Sequence, residues 1–341
     1  VGLATASKQF RWKRPRLSED SGRLLIVQGR HPLVEATLSA HHKFVPNDTV
    51  LGVPSTMLPG GGGEPDDVAA KGKAESRVQV VSGANFAGKS VYLKQVGLIV
   101  ILAQIGCPVP ANEAEIGLCD FLFSRIHSRD SVAVRRSTFC VDVAQVASAL
   151  RHSTRASLVL LDEFGKGTHA ADGVALFGAT IQYLCHWRNG PKTIATTHFM
   201  ETFRCELVSS DEPALELRTM RVLPPKDTSG DVTYLYQLVQ GVAERSFGIE
   251  CAKKAGLDES TLARATEILH ALERGTRVPA PRDGVCAEAA ARALEHAQKR
   301  ELVCQQLVDR LCSMDVDDEE AVKSLLAEAW AQQSVICDAA Q

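Results

Sequence analysis

An eight-residue stretch, GANFAGKS at 83–90, constrains the fold of this chain more than any other part of it. It matches the pattern GxxxxGK[ST], in which two glycines and a lysine keep a fixed spacing. It follows the apolar run Val78–Ser82, which predicts a buried strand, and opens a helical pattern that continues to Gly106. Because this strand–loop–helix context is the one that the pattern requires, a phosphate-binding loop in an α/β fold is predicted.

The residues of this loop suit the chemistry of a nucleoside triphosphate. Backbone N–H groups can converge on phosphate oxygens at the positive end of the following helix, and glycines permit a close approach that a Cβ would block. Lys89 is expected to reach the β- and γ-phosphates, and the Ser90 hydroxyl to bind Mg²⁺. The predicted nucleotide-binding residues are Gly83, Ala84, Asn85, Phe86, Ala87, Gly88, Lys89 and Ser90.

A second apolar run, residues 158–161, ends in two adjacent acids and indicates the same chemistry. Asp162, at the end of the predicted strand, is expected to hold Mg²⁺, usually through water. Glu163 is then expected to face the γ-phosphate and to orient and deprotonate the attacking water. The alternative, a surface turn with two solvated acids, is disfavoured because the phosphate-binding loop precedes these acids in the same chain.

A third feature is the segment ATTHF at 195–199, in which His198 follows another apolar run, residues 192–197. A histidine at the end of a buried strand can sense a γ-phosphate or the water that attacks it. A lone histidine in such a place is more often structural. The predicted catalytic residues are therefore Glu163, Lys89 and His198, and the assignment of His198 depends on the first two motifs.

The remaining pattern predicts the fold class. Strands are expected at 24–28, 50–53 and 233–239, and helices at 88–106 and 175–187. This alternation favours an α/β fold of the P-loop NTPase type, with a largely parallel sheet flanked by helices. Helical patterns after Gly248 add a C-terminal helical extension. The segment 59–76 is rich in glycine, proline and charge, and is predicted to be a flexible insertion.

Composition excludes several classes of protein. A net charge of −3 does not fit a nucleic-acid coat protein or a polybasic membrane binder. Ten cysteines without a CxxC pair argue against zinc and disulfide scaffolds and favour reduced thiols. The longest apolar run, 96–103, is far short of the roughly 20 residues of a membrane span and predicts a buried helix. Residues 1–22 are basic, which favours a solvated face over a nuclear address or a DNA contact.

Taken in order, the motifs resemble those of the MutS family of ABC-type ATPases, over residues 29 to about 271. Beyond the three motifs above, the resemblance rests on GRHPLVE (29–35), FVPND (44–48), YLKQVG (92–97), CPVPANEAEIG (107–117), RIHS (125–128), STF (137–139), LVLLDEFGKGT (158–168) and GVAERSFGIECAKKAGL (241–257). Details such as LIVQGRHPL and VYLKQVG are most similar to the meiotic branch, whose heterodimer handles recombination intermediates.

The resemblance implies a composite site between two such domains, with ATP and Mg²⁺ as cofactors. One subunit supplies the loop, Glu163, and the metal-binding pair Ser90 and Asp162. The other supplies STF, so that Ser137 acts in trans in the partner's site. The implied partners are a second MutS-homologue subunit, in a heterodimer, and DNA, branched or double-stranded, bound mainly through domains outside this chain. The resemblance also implies a nuclear location and no membrane association.

Further roles are carried over from the family. Phe44 matches the position whose ring stacks on the adenine base, and Tyr236 that of a second ring; the alternative is that both are ordinary core aromatics. Residues 246–273 resemble the helix–turn–helix dimerisation element, although a helix pair within one chain would give the same pattern. The chain is thus divided into a basic N-terminal segment (1–22), a P-loop ATPase domain (23–245), this element, and a helical tail (274–341).

The sequence departs from the family pattern in two places. Ala84 stands where the family usually has proline, which should change the stiffness of the loop and not its phosphate chemistry. Arg135 stands two residues before Ser137 where the family usually has glycine, so the contact in trans is either weakened or gains charge near the γ-phosphate. Family members also carry DNA-clamp, connector and lever domains upstream. The chain is therefore interpreted as a C-terminal fragment, the product of a truncated gene, or an isolated ATPase copy.

Three functions fit this pattern. The first is an ATPase that switches a dimeric DNA clamp on recombination intermediates in meiotic crossover. The second is a mismatch-repair ATPase of the same family, which an upstream domain with an intercalating aromatic would distinguish. The third is a nucleotide-gated dimerisation module with little hydrolysis. Arg135 favours the third, whereas intact Lys89, Asp162, Glu163 and His198 disfavour it.

Overall fold

The computed structural model describes residues 2–38, 43–53, 76–126, 138–209, 211–223, 232–243 and 247–277, and two short pieces at 305–306 and 309–310. The chain divides into two compact units, residues 1–246 and 247–341. Ser137, all but the last residue of the insertion expected at 59–76, and most of the tail expected at 274–341 lie outside the described residues.

The first unit is built from alternating strands and helices. The helices are α1 (Gly2–Gln9), α2 (Pro32–Thr37), α3 (Lys89–Gln104), α4 (Thr138–His152), α5 (Ala170–His186) and α6 (Glu201–Arg204). The strands are β1 (Arg16–Ser18), β2 (Leu24–Gly29), β3 (Asn47–Leu51), β4 (Val78–Ser82), β5 (Glu113–Gly117), β6 (Leu122–Arg125), β7 (Leu158–Asp162), β8 (Lys192–Thr196), β9 (Leu215–Leu223) and β10 (Thr233–Gln240).

Six of these strands form a central sheet, in the order β10-β9-β4-β8-β7-β6. Neighbouring strands are parallel except at the edge, where β10 pairs with β9 in the antiparallel direction. Every residue of β4, β7 and β8 is buried, as expected for parallel strands that are covered on both faces. The α/β fold with a largely parallel sheet is therefore confirmed.

Side chains alternate between the two faces of the central sheet along each strand. Helices cover both faces. On one face α3 packs on β7 and β8, and a Cβ added at Gly97 would lie 2.9 Å from Leu160. On the other face Val159 and Leu161 join Phe177 of α5 and residues of α4 in the main apolar core. The loop between β4 and α3 is thus held by a helix that is itself buried against the sheet.

A second, four-stranded sheet has the order β1-β5-β2-β3, and the sequence pattern predicts its strands β2 and β3 but not β1 or β5. β2 pairs antiparallel with β3 and β5, whereas β1 pairs parallel with β5. The basic segment 1–22, expected to be a solvated face, contributes α1 and β1 and buries Trp12, whose indole N–H donates to Glu35 at 3.3 Å. Since α3 also contacts β2, this sheet places the start of β3 beside the phosphate-binding loop.

Predicted bounds agree with the structure most closely at the apolar strand β4, which spans the predicted residues Val78–Ser82. Elsewhere the bounds differ by a few residues. The strand expected at 50–53 is β3 at Asn47–Leu51, and the helix expected at 175–187 begins earlier, at Ala170. The sequence pattern does not indicate β5, β6, β9 or α4. In β9 only two of nine residues are fully buried, so the strand lacks the apolar run that reveals its neighbours.

The described part of the second unit contains α7 (Gly248–Lys254) and α8 (Glu259–Glu273). Asp258 caps α8 by accepting hydrogen bonds from the amides of Ser260 and Thr261 at 3.0 and 3.4 Å, which satisfies donors at the helix start. The dimerisation role expected for this segment stays a prediction. None of the helices in the described ranges is both long and apolar enough to span a membrane.

Candidate nucleotide-binding and catalytic site

The phosphate-binding loop contains three residues with a left-handed backbone. Gly83, Phe86 and Gly88 have φ angles of 143°, 62° and 96°, a region that glycine enters without steric cost. A Cβ at Gly88 would also lie 3.3 Å from the Tyr236 ring. Among the described residues, the amides of Gly88 and Lys89 donate to no backbone carbonyl. They remain available to an anion at the positive end of α3.

Lys89 begins α3, and its ammonium lies inside the loop. Nζ donates to the carbonyls of Gly83 and Ala84 at 2.6 and 3.0 Å and lies 3.6 Å from Glu163 Oε1. The residue is only 4% exposed, and burial lowers the pKa of Lys89 while the charges of Glu163 and Asp162 oppose that shift. A cation removed from water in this way is a strong partner for phosphate oxygens.

Asp162 ends β7 and is held from the neighbouring strand. Thr196 of β8 lies directly opposite, and its hydroxyl donates to Asp162 Oδ1 at 2.6 Å. The same hydroxyl and the Thr196 carbonyl both accept from the Glu163 amide at 3.1 Å. Arg125 of β6 donates to the Asp162 carbonyl and pairs with Asp142 of α4. Both predicted acids are therefore fixed by the parallel register of the sheet.

Replacing Thr196 with valine removes these side-chain bonds while keeping the shape of the residue. Because Asp162 then loses the donor that orients it, we expect the Mg²⁺ affinity that supports ATP turnover to fall about tenfold or more. The measurement is turnover against Mg²⁺ concentration. Thr193→Val, on the same strand, is the matched control, since the Thr193 hydroxyl bonds only the Pro191 carbonyl, at 3.4 Å. Equal Mg²⁺ dependence in both variants would remove Thr196 from the site.

Glu163 follows Asp162 with a positive φ of 50°, which is uncommon for any residue but glycine. Its Oε2 accepts from Lys166 Nζ at 2.9 Å, while Oε1 faces Lys89. Burial alone would raise the pKa of Glu163, but the hydrogen bond from Lys166 and the charges of Lys89 and Lys166 outweigh it and hold the pKa below its usual value. Glu163 is therefore a carboxylate at neutral pH, the form that a general base requires.

Removal of the Lys166 ammonium gives a pH test of this base. In Lys166→Ala the burial of Glu163 is opposed by less positive charge, so its pKa rises and the carboxylate is lost at a higher pH as the solution is acidified. We expect the acidic limb of the kcat profile to move to higher pH. The matched control is Lys94→Ala, which removes an exposed lysine of α3. If the acidic limb of the kcat profile lies at the wild-type pH in both variants, the role of Glu163 as base is contradicted.

His198 lies two residues beyond β8, with its ring centroid 4.3 Å from that of Phe199. Its Nδ1 is buried and has no hydrogen-bond partner among the described residues. Burial lowers the pKa of His198 against the opposing charge of Glu163, so the ring is neutral near neutral pH. A neutral imidazole with an unpaired nitrogen can bond a water or a phosphate oxygen.

A cavity of about 770 Å³ opens beside the loop. Lys89, Ser90 and Glu163 are among the residues that line it, and so are Phe44 and Tyr236. The volume is within the range of small-molecule sites. The lining thus offers a cation, a carboxylate and aromatic rings, the groups that a triphosphate joined to a base requires.

Asn47 holds the backbone around one of these aromatic residues, Tyr236. It begins β3, three residues after Phe44. Its Nδ2 donates to the Tyr236 carbonyl at 2.9 Å, and its Oδ1 accepts from the Leu238 amide at 2.6 Å. Tyr236 has a φ of 54° beside an irregularity in the β9–β10 pairing, a conformation that costs about 1–3 kcal/mol and needs support from its surroundings. Asn47 supplies that support.

Replacing Asn47 with leucine leaves both backbone groups without their partner, so Tyr236 loses its position against the loop. Because the phosphate end is untouched, we expect ATP to bind about tenfold more weakly while tripolyphosphate binds as before. Competition of each ligand against a fluorescent nucleotide measures the split. Phe44→Ala, which removes the other ring, should give the same split. A parallel loss of tripolyphosphate affinity would mean that Asn47 supports the fold and not the base pocket.

The structure gathers the predicted loop, both acids, His198, Phe44 and Tyr236 in one region, and their roles remain predictions. Ser137, predicted to act in trans, lies outside the described residues. The residues that the sequence analysis did not assign are Asn47, Thr196, Lys166 and Arg125. Of these four residues, only Lys166 could have been found from its spacing in the sequence, since it follows the predicted base Glu163 by three residues.

The site fits ATP and Mg²⁺ on its own features. It combines a buried ammonium, amides without backbone partners at a helix start, and a hydroxyl and a carboxylate, which are the oxygen ligands that Mg²⁺ prefers. Among the described residues there is no group of three or more His, Cys, Asp or Glu side chains that could hold a metal alone. A Mg²⁺ held by Ser90 and Asp162 would therefore complete its shell with phosphate and water.

Comparisons with known proteins identify relatives of this chain. The MutS domain V family matches residues 79–273, more than half of the chain. The DNA mismatch repair protein MutS of Oleidesulfovibrio alaskensis is 39% identical over 285 residues, which cover 82% of this chain and 28% of that protein. MutS protein homolog 5 of Saccharomyces cerevisiae is 33% identical over 338 residues, 95% of this chain and 35% of that protein. This chain thus spans about a third or less of these relatives, and it belongs to the MutS family of ATPases.

Proposed function

We propose that the chain binds ATP with Mg²⁺ and hydrolyses it to ADP and phosphate. The observation that carries this proposal is the meeting of Lys89 and Glu163 at 3.6 Å, beside the loop and next to the buried Asp162. A cation for the phosphates, a ligand for the metal and a carboxylate for the water are the parts that phosphoryl transfer to water needs.

The side chains divide the work as follows. Bound Mg²⁺ would neutralise charge that develops on the phosphates. Lys89 would exchange the carbonyls of Gly83 and Ala84 for phosphate oxygens. Glu163 would accept a proton from the attacking water, and Lys166 would keep that carboxylate ionised until then. His198 would bond the water or the γ-phosphate through its neutral imidazole.

We further propose that the complete site forms between two subunits, with Ser137 of each chain reaching the γ-phosphate bound by the other. ATP would then bind the closed dimer more tightly than the open one, which is the condition for a nucleotide switch. Shifting such a switch from mostly open to mostly closed takes about 5.5 kcal/mol of differential binding. The expected partner is a second MutS-homologue subunit, in a heterodimer.

For the biological role we propose an ATPase that switches a DNA clamp on recombination intermediates in the nucleus during meiotic crossover. The similarity to MutS protein homolog 5, which extends over 95% of the chain, supports this role. Mismatch repair is the second candidate, because the bacterial relative has the higher identity, 39%. If a four-way DNA junction stimulates ATP turnover more than a mismatched duplex does, the crossover role is favoured. If the mismatched duplex stimulates turnover more, mismatch repair is favoured.

The composite site is tested by turnover against chain concentration, with the chain alone and mixed with the second subunit. Turnover that rises with dimer formation and falls in Ser137→Ala supports the shared site. Activity that is independent of concentration and of Ser137 would mean a self-contained nucleotide hydrolase.

A further inference from the structure

A second pocket lies at the opposite end of the central sheet from the nucleotide site. It has a volume of about 120 Å³ and is lined by four cationic side chains, Arg77, Arg155, Arg188 and Lys192, and by Asn189; we name it the cationic pocket. Arg77 directly precedes β4, and Lys192 begins β8. The phosphate-binding loop follows the other end of β4, so five residues of strand, about 17 Å, separate the two sites.

The charges of the cationic pocket are only partly compensated. Arg155 lies 3.5 Å from the Asp20 carboxylate. Within the described ranges no carboxylate lies within ion-pair distance of Arg77, Arg188 or Lys192. Four cations around a pocket that holds the volume of about four waters repel one another, and a bound anion would relieve that repulsion.

Two of the cations, Lys192 and Arg77, donate hydrogen bonds to backbone carbonyls. Lys192 is 3% exposed, and its Nζ donates to the carbonyls of Ser21 and Ala156. Burial lowers the pKa of Lys192, which reflects the cost of keeping this charge out of water, and the charges of Asp120 and Asp20 oppose that shift. Arg77 Nη2 donates to the carbonyls of Cys185 and Trp187 at 2.7 and 2.8 Å, and Arg77 Nε is buried without a partner among the described residues.

The other two cations form the exposed rim of the pocket. The Arg155 side chain is 58% exposed, and Arg188 and Asn189 are exposed in the turn after α5. Guanidinium groups bind phosphate through two parallel hydrogen bonds, which makes arginine the preferred side chain for this ligand. A buried positive floor beneath two accessible guanidinium groups matches an oxyanion and no neutral ligand.

From this arrangement we propose that the cationic pocket binds a phosphate group, supplied either as free phosphate or by the backbone of a nucleic acid. The site is separate from the proposed hydrolysis of ATP and does not depend on it. It also provides the local positive patch that a chain with a net charge of −3 needs in order to touch DNA directly.

The test uses the full 341-residue chain saturated with ADP and Mg²⁺, because inorganic phosphate could otherwise enter the nucleotide site. Phosphate binding is measured by calorimetry in wild type and in the Arg155→Ala/Arg188→Ala double variant. Both side chains are exposed, so the variant should keep its fold, unlike variants of Arg77 or Lys192. Arg221→Ala, which removes an exposed arginine of β9, is the matched control. We expect about tenfold weaker phosphate binding in the double variant only.

A second arm separates the two sources of phosphate. Binding of a double-stranded oligonucleotide is followed against salt concentration for the same three proteins. If DNA phosphates occupy the pocket, the salt slope of the double variant falls by about one for each arginine. An unchanged slope with weakened phosphate binding identifies free phosphate as the ligand. Phosphate binding that is absent in wild type, or equal in wild type and the double variant, would overturn the proposal whatever the DNA result.

Discussion

Glu163→Gln is expected to bind ATP nearly as tightly as wild type and to turn it over about 10²–10⁴-fold more slowly. Glutamine keeps the size of the side chain and can still accept a hydrogen bond from Lys166, which lies 2.9 Å from the carboxylate. What it cannot do is take a proton from water. The loss should therefore fall on kcat, with little change in the dissociation constant measured by nucleotide fluorescence.

The control for this variant is Glu113→Gln, which neutralises an exposed acid of β5 away from the cavity. It should leave both binding and turnover unchanged. If Glu163→Gln turns over ATP at the wild-type rate, Glu163 is not the base, and the low pKa produced by its lysine neighbours has another purpose.

Lys89→Ala is expected to lose most of its affinity for ATP. The ammonium makes charge-assisted contacts with the phosphates, each worth about 1.5–3 kcal/mol, so a loss of about 3 kcal/mol, or about 100-fold in affinity, is a lower bound. Equilibrium binding of ATP and of tripolyphosphate measures the effect.

Both ligands should weaken together in Lys89→Ala, in contrast to Asn47→Leu, where only ATP should weaken. Lys94→Ala, in the same helix but exposed, should bind both ligands as wild type does. Unchanged ATP affinity in Lys89→Ala would mean that the loop does not hold the phosphates.

The parts of the fold that the sequence predicts are those with a local pattern. Val78–Ser82 was expected as a strand, and β4 has these bounds, because five consecutive buried residues form a run that no exposed element would carry. In the small sheet the pattern predicts β2 and β3 but not β1 or β5, for the opposite reason. In β5 the burial alternates and the strand is five residues long, and its partners β1 and β2 lie far upstream in the chain. Such pairing has no marker in a single sequence.

The same difference between local patterns and long-range contacts applies to the site. Lys89, Asp162 and Glu163 could be assigned because their chemistry follows from spacing along one segment. Asn47 acts on residues 189 and 191 positions away, and Thr196 acts on an acid 34 positions away. Their roles come from the register between strands, which the sequence pattern did not specify. The cationic pocket is hidden for the same reason, since its four cations come from three segments that lie far apart in the sequence, around residues 77, 155 and 188–192.

The most direct test of the central claim is phosphate release from ATP by the purified chain with Mg²⁺, measured under single-turnover conditions and at high chain concentration. We predict release that requires Mg²⁺ and is reduced about 10²–10⁴-fold in Glu163→Gln. Tight ATP binding without any release, alone and with the second subunit, would contradict it and would identify the chain as a nucleotide-gated dimerisation module.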